Sequence, residues 1–212
     1  MTSLAFDSVA CLRGGRLLFA GVSFALGAGE AAVVTGPNGT GKSSLLRIAA
    51  GLLEVVAGRV ERDGAAALAD ENAALDRELP LERALSFWVG LDGRNDSVEG
   101  AMAAMDLGHL APVPVRMLST GQRKRAALAR VIASGAPIWL LDEPANGLDA
   151  EAVGRLERAC AEHQAAGGIV VAATHQALSL PSPKTILLDP FASSEVEKRI
   201  STSLDTNGVG AG

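Results

Sequence analysis

The sequence predicts an α/β domain with its chemistry at the carboxyl ends of short buried strands, and three observations predict it. The run Gly36-Pro37-Asn38-Gly39-Thr40-Gly41-Lys42-Ser43 lies between an apolar strand and a helix. It fits G-x-x-x-x-G-K-[ST], the phosphate-binding loop or P-loop. Pro137-Ile138-Trp139-Leu140-Leu141-Asp142 is apolar throughout and ends in an acid. Such continuous runs mark parallel strands buried on both faces. A third apolar run, Ile169 to Ala173, ends at Thr174-His175.

The elements follow in order. Residues 3–35 read as strands at Leu4–Cys11, Leu17–Phe19, Val22–Leu26 and Ala31–Thr35, with turns at Gly14-Gly15 and Gly27-Ala28-Gly29. Ser44 to Ala50 reads as a helix that ends near Gly51, and Val55 to Arg62 as a short strand pair around Gly58. From about Ala65 to Ser134 the pattern is mainly helical. Pro80 stands at a helix start, with apolar spacing through Phe87-Trp88. Residues 97–107 and Ser119–Ala133 read as further helices. Ala150 to Ala166 is a helix closed by Gly167-Gly168. Lys184 to Asp189 is the last strand, and the tail from Pro190 is expected to be a short helix followed by disorder.

The P-loop glycines allow tight turns that aim backbone N–H groups inward. Lys42 places a point charge on the β- and γ-phosphates, and the Ser43 hydroxyl suits Mg²⁺. Ser44 opens the helix whose N-terminus faces the anion. These residues predict binding of a nucleoside triphosphate, ATP or GTP. Asp142 is placed to hold Mg²⁺ through water, and Glu143 to orient and deprotonate an attacking water. Leu118-Ser119-Thr120-Gly121-Gln122 precedes the basic run Arg123-Lys124-Arg125. Ser119 can cap the helix there and make a second anion site, or it is only a cap before a solvated basic turn.

Composition limits the function classes. The chain has 212 residues, 48% hydrophobic, 20% charged and 3% aromatic, with net charge −5. That balance suits a globular domain and argues against a nucleic-acid surface. Cys11 and Cys160 form no C-x-x-C and read as reduced, inert thiols. The N-terminus lacks the basic and apolar regions of a signal peptide, and no apolar run reaches membrane-spanning length. A membrane role therefore needs a partner that spans.

The ordered set of motifs resembles the ATP-binding subunits of ABC transporters over residues 3–189. The resemblance implies a P-loop ATPase fold with an antiparallel β subdomain and a helical subdomain of about 72–134. One such domain covers 1–189, followed by a partly disordered tail, 190–212. Leu118 to Gln122 would be the signature motif, with Thr120 where the family usually has Gly. Ala145-Asn146-Gly147-Leu148-Asp149 resembles the D-loop, and His175 the switch histidine that senses the γ-phosphate. The resemblance implies a head-to-tail homodimer that hydrolyses ATP with Mg²⁺. Each ATP would lie between one P-loop and the other copy's signature motif.

Two positions depart from the family. Many members carry a Gln in the stretch that is Leu68-Ala69-Asp70-Glu71-Asn72-Ala73-Ala74 here; Asn72 is the nearest substitute, one methylene shorter. Slower hydrolysis or a bridging water follows. Many also stack adenine on an aromatic in the stretch from Cys11 to Arg16. Here Arg13 either stacks its guanidinium on the base or is a solvated turn residue.

Arg13-Gly14-Gly15-Arg16, Leu85-Ser86-Phe87-Trp88 and Val170 to Gln176 resemble one branch, the ATPase of heme export in bacterial cytochrome c maturation. That branch implies CcmB, CcmC, CcmD and the heme chaperone CcmE as partners, and a peripheral place on the cytoplasmic face of the inner membrane. His109, His163 and His175 are scattered and the cysteines form no heme-attachment motif, so heme binding by this chain is not expected. The alternatives are an ABC ATPase for another substrate, a soluble ABC protein of DNA repair or translation, and a non-hydrolysing, ATP-gated assembly module. The soluble class typically carries coiled coils, zinc clusters or tandem ATPase domains, which this sequence lacks.

Overall fold

The computed structural model describes residues 2–70, 73–91 and 98–189. Asn72 and the tail from Pro190 lie outside the described residues, as do residues 92–97. Two sheets share the chain. A three-stranded antiparallel sheet is formed by β1 (Ser3–Arg13), β2 (Arg16–Gly27) and β4 (Ala57–Asp63), in the order β2-β1-β4. The second sheet contains β3 (Ala31–Thr35), β5 (Ala66–Ala69), β6 (Ile138–Asp142), β7 (Ile169–Ala173) and β8 (Lys184–Leu187). Its order is β5-β6-β7-β3-β8, and every pairing is parallel.

Both faces of the inner strands β6 and β7 are covered, which explains their unbroken apolar runs. Side chains alternate along each strand. Ile138, Leu140, Val171 and Ala173 face one core with α1 (Lys42–Ala49) and the antiparallel sheet, where Leu4, Phe6 and Phe19 are buried. Trp139, Leu141, Val170 and Ala172 face a second core. That core is completed by α2 (Leu81–Leu91), α3 (Val98–Ala104), α4 (Thr120–Ser134) and α5 (Ala150–Ala165). Phe6 stacks on Phe24 with ring centroids 4.6 Å apart.

Three local expectations are corrected. The two strands expected over Leu17–Phe19 and Val22–Leu26 are one, β2. Gly21, at φ +70°, and shifts in the β1–β2 register absorb the irregularity as bulges that re-aim the strand without ending it. The expected strand pair around Gly58 is one strand, β4, paired with β1. Ala66 to Ala69 falls in the stretch expected to be mainly helical, yet it forms β5 at the sheet edge against β6. Alanine favours helix, but the ladder to Ile138–Leu141 and burial beneath α4 override that preference.

Candidate active site

A parallel sheet gathers its loops at the carboxyl ends of its strands. Here β3 ends at the P-loop, β6 at Asp142 and Glu143, and β7 at Thr174 and His175. A cavity of about 520 Å³ opens at that edge, lined by Arg13, Asn38, Lys42, Ser43, Asp142, Glu143 and His175 among others. The P-loop geometry needs its glycines. Gly36 and Gly41 sit at φ +143° and +102°, and a Cβ on Gly36 would collide with the Leu188 carbonyl. Thr40 closes the loop with its hydroxyl on Pro37 O at 2.9 Å.

Lys42 is 7% exposed and folds back onto the loop. Its Nζ donates to Gly36 O at 2.8 Å and Pro37 O at 3.1 Å. An ammonium has three protons, so one is left to meet a phosphate. Asp142 is buried beside Ser43, whose hydroxyl donates to its carboxylate. Burial pushes Asp142 above the usual carboxylate range and the neighbouring Glu143 charge adds to this; the Ser43 bond, Lys124 and Arg47 oppose it. A buried carboxylate and a hydroxyl converging on a phosphate cradle form a hard-oxygen donor set that fits Mg²⁺.

Glu143 and His175 meet. His175 Nδ1 lies 2.9 Å from Glu143 Oε1. The other carboxylate oxygen, Glu143 Oε2, is buried with no protein partner. Such an atom calls for a ligand or water. Glu143 is also one of the non-glycine residues in the left-handed region, at φ +45°.

The signature residues take another position. Ser119 caps α4 in a capping box: Gln122 N donates to Ser119 Oγ at 3.2 Å, and Ser119 N to Gln122 Oε1 at 2.8 Å. Leu118 is buried, Thr120 Oγ1 accepts from Arg123 Nη2, and Gly121 lies against Gly147 O. None of these five lines the P-loop cavity. Asp149 caps α5, accepting from Ala152 N at 2.8 Å. Arg123-Lys124-Arg125 is not a solvated basic turn. The helical turn of about 100° per residue points the three cations in different directions. They donate to the carbonyls of Leu118, Asp142 and Met105 respectively.

Two contacts had no signal in the sequence. Gln176 Nε2 donates to Asn146 Oδ1 at 2.9 Å, joining the loop after β7 to that after β6. Lys124 Nζ reaches Asp142 O at 3.2 Å.

The family model described as "ABC transporter" matches residues 19–146, from within β2 to the loop after the acidic strand. The chain belongs to the ABC transporter family. Within it, the chain is 58% identical over 190 residues to the cytochrome c biogenesis ATP-binding export protein CcmA of Sphingopyxis alaskensis, covering 89% of this chain and 98% of that one. It is 55% identical to CcmA of Zymomonas mobilis over 89% and 85% of the two chains. For CcmA of Novosphingobium aromaticivorans the identity is 54% over 89% and 96%. The branch read from the sequence is therefore borne out. Solved structures share the fold. One is the inward-facing conformation of a putative metal-chelate type ABC transporter, with TM-score 0.78, 24% identity and coverage of 90% and 81%. Another is a dimeric ATP-binding cassette in a post-hydrolysis state bound to ADP and Pi, with TM-score 0.73, 21% identity and coverage of 82% and 88%. Among the described residues of this ABC chain, no helix is long and apolar enough to cross a membrane.

Proposed function

We propose that this ABC chain is the ATP-hydrolysing subunit of a membrane complex for cytochrome c biogenesis. It couples hydrolysis to heme export or to release of a heme-loaded chaperone. The observation that carries the hydrolytic part is the convergence of Lys42, Ser43, Asp142, Glu143 and His175 on one cavity at the carboxyl ends of β3, β6 and β7. The names of its CcmA relatives support the branch.

The roles follow from the chemistry of each group. Gly36 to Ser44 cradle the phosphates through backbone N–H groups, and Lys42 neutralises them. Ser43 and Asp142 would hold Mg²⁺, which supplies further positive charge on the phosphate oxygens. Glu143 accepts the proton of the attacking water at Oε2, the oxygen that has no protein partner. His175, bonded to Oε1, holds that carboxylate, and its place on the cavity wall suits a reporter of the γ-phosphate. Arg13 lines the same cavity, and its planar guanidinium suits the adenine face. Asn72 takes the place of the family's Gln.

Leu118 to Gln122 serve the nucleotide of a second copy, with Asp149 at the shared interface. Their absence from this chain's own cavity supports a homodimer with composite sites. CcmB, CcmC, CcmD and CcmE are the proposed partners, and the place is the cytoplasmic face of the inner membrane, peripheral. Asn72 in place of Gln favours one second reading, an ATP-gated module with little turnover. Affinity purification from native membranes tests the branch. Recovery of CcmB and CcmC with ATP-dependent turnover is expected. Recovery of an unrelated permease would overturn the cytochrome c assignment, and an assembly that binds but never hydrolyses ATP would favour the second reading.

A further inference from the structure

The peptide group between Asp142 and Glu143 is held at both of its polar ends. Its carbonyl, Asp142 O, accepts from Lys124 Nζ at 3.2 Å. Its N–H, on Glu143, donates to Ala173 O at 2.8 Å. Rotation of this plane changes ψ of Asp142 and φ of Glu143 together. Glu143 stands at φ +45°, a region that an L side chain leaves unless its surroundings hold it there. Lys124 and Ala173 both hold the plane.

Lys124 belongs to the first turns of α4, whose cap is Ser119. The same turn lies flat on the loop after β6, where a Cβ on Gly121 would come within 3.2 Å of Gly147 O. Helix start and acidic loop are thus joined twice: by the close approach at Gly121 and by the Lys124 bond. Ser119 and Lys124 are separated by about 7.5 Å along the helix axis. Hydrogen bonds weaken beyond about 3.5 Å, so a shift of α4 by a fraction of an ångström alters the Lys124 contact.

We propose that Lys124 is a positioning residue for hydrolysis: it ties the signature helix to the backbone that sets Glu143. Contact of Ser119–Gln122 with a second copy's nucleotide is then felt at this copy's own Glu143, through one helix and one peptide group. The proposal rests on the reading of Glu143 as the general base.

The test uses the full chain in complex with the membrane subunits that co-purify with it. Wild type, Lys124→Met, Lys124→Arg, Glu143→Gln and the double variant Lys124→Met/Glu143→Gln are compared. ATP turnover, affinity for a fluorescent ATP analogue and the melting temperature are measured for each. Lys124→Met is expected to lower kcat on the order of 10- to 100-fold, with nucleotide affinity within about 2-fold of wild type. Lys124→Arg, which keeps charge and donor, is expected to recover most of that loss. In the Glu143→Gln background, Lys124→Met should cost less than about 2-fold more, because both changes act on the same group. A normal kcat in Lys124→Met beside an inert Glu143→Gln would overturn this proposal and leave the ATPase reading intact. So would a loss in Lys124→Met that tracks a lower melting temperature and is not recovered by Arg, or a fully additive double variant. An inert wild-type complex, or a fully active Glu143→Gln, would overturn the ATPase reading and this proposal with it.

Discussion

His175 Nδ1 lies 2.9 Å from Glu143 Oε1, across the carboxyl ends of the adjacent parallel strands β6 and β7. The pair fixes one oxygen of the carboxylate and leaves Oε2 buried without a protein partner. If that oxygen takes a proton from water, Glu143→Gln keeps the shape and loses the base. Hydrolysis is expected to fall by about 100-fold or more. Nucleotide binding should persist, and an ATP-bound dimer should accumulate. Single-turnover kinetics and size-exclusion chromatography with ATP check both; unchanged hydrolysis would remove Glu143 from the role.

Asp142 predicts opposite effects on stability and activity. Burial raises its carboxyl above the usual range, so the folded state holds the proton more tightly than the unfolded chain. Its contribution to stability therefore falls as pH rises above the unfolded value of 3.8, and at neutral pH the ionised group is a cost. Asp142→Asn should make the nucleotide-free protein equally or slightly more stable, by about 0.5–1 kcal/mol. Hydrolysis should be lost with it. Urea unfolding at pH 7.5 without nucleotide, beside an ATPase assay, reads both signs.

His163 predicts an acid-side weakness. It stacks on Trp139 with ring centroids 3.8 Å apart, and burial lowers its pKa from 6.5. A Cβ on Gly168 would collide with its ring, so the glycine makes room for it. Between the lowered folded value and 6.5 the unfolded chain binds the extra proton. The contribution of neutral His163 is complete above 6.5 and is lost as pH falls through that window. His163→Phe keeps the stacking and removes the titration. The drop in stability from pH 7 to 5.5 should shrink by about 1 kcal/mol or less. Identical pH slopes in the two proteins would refute the assignment.

Cys11 and Cys160 are fully buried. Burial pushes the Cys160 thiol up to about 12 and raises that of Cys11. Neither should react with iodoacetamide at pH 8 in the native protein, and both should react once it is unfolded. Mass spectrometry of labelled peptides decides. Native labelling of Cys160 would contradict the burial.

Parts of this site were legible because their information is local. Gly36 to Ser43 specify a loop whose shape depends on its own glycines and on the strand and helix at its ends. Ile138 to Asp142 declare a strand buried on both faces, because apolar side chains stand at successive positions. Ser119 with Gln122 declares a helix cap, since both partners lie within one turn. Ala66 to Ala69 were not legible as a strand. Their own preference is helical, and only the β6 edge makes them extend.

The phosphate loop and the buried acidic strand are each written in contiguous residues, and the order of such short motifs along the chain marks the family. The tertiary structure alone decided which side chains meet. His175 reaches Glu143 because β7 pairs beside β6. Lys124 reaches Asp142 because α4 returns over the end of that strand. Residues distant in the chain are brought within hydrogen-bond range by the burial of two apolar sheet faces, and no local pattern encodes that distance.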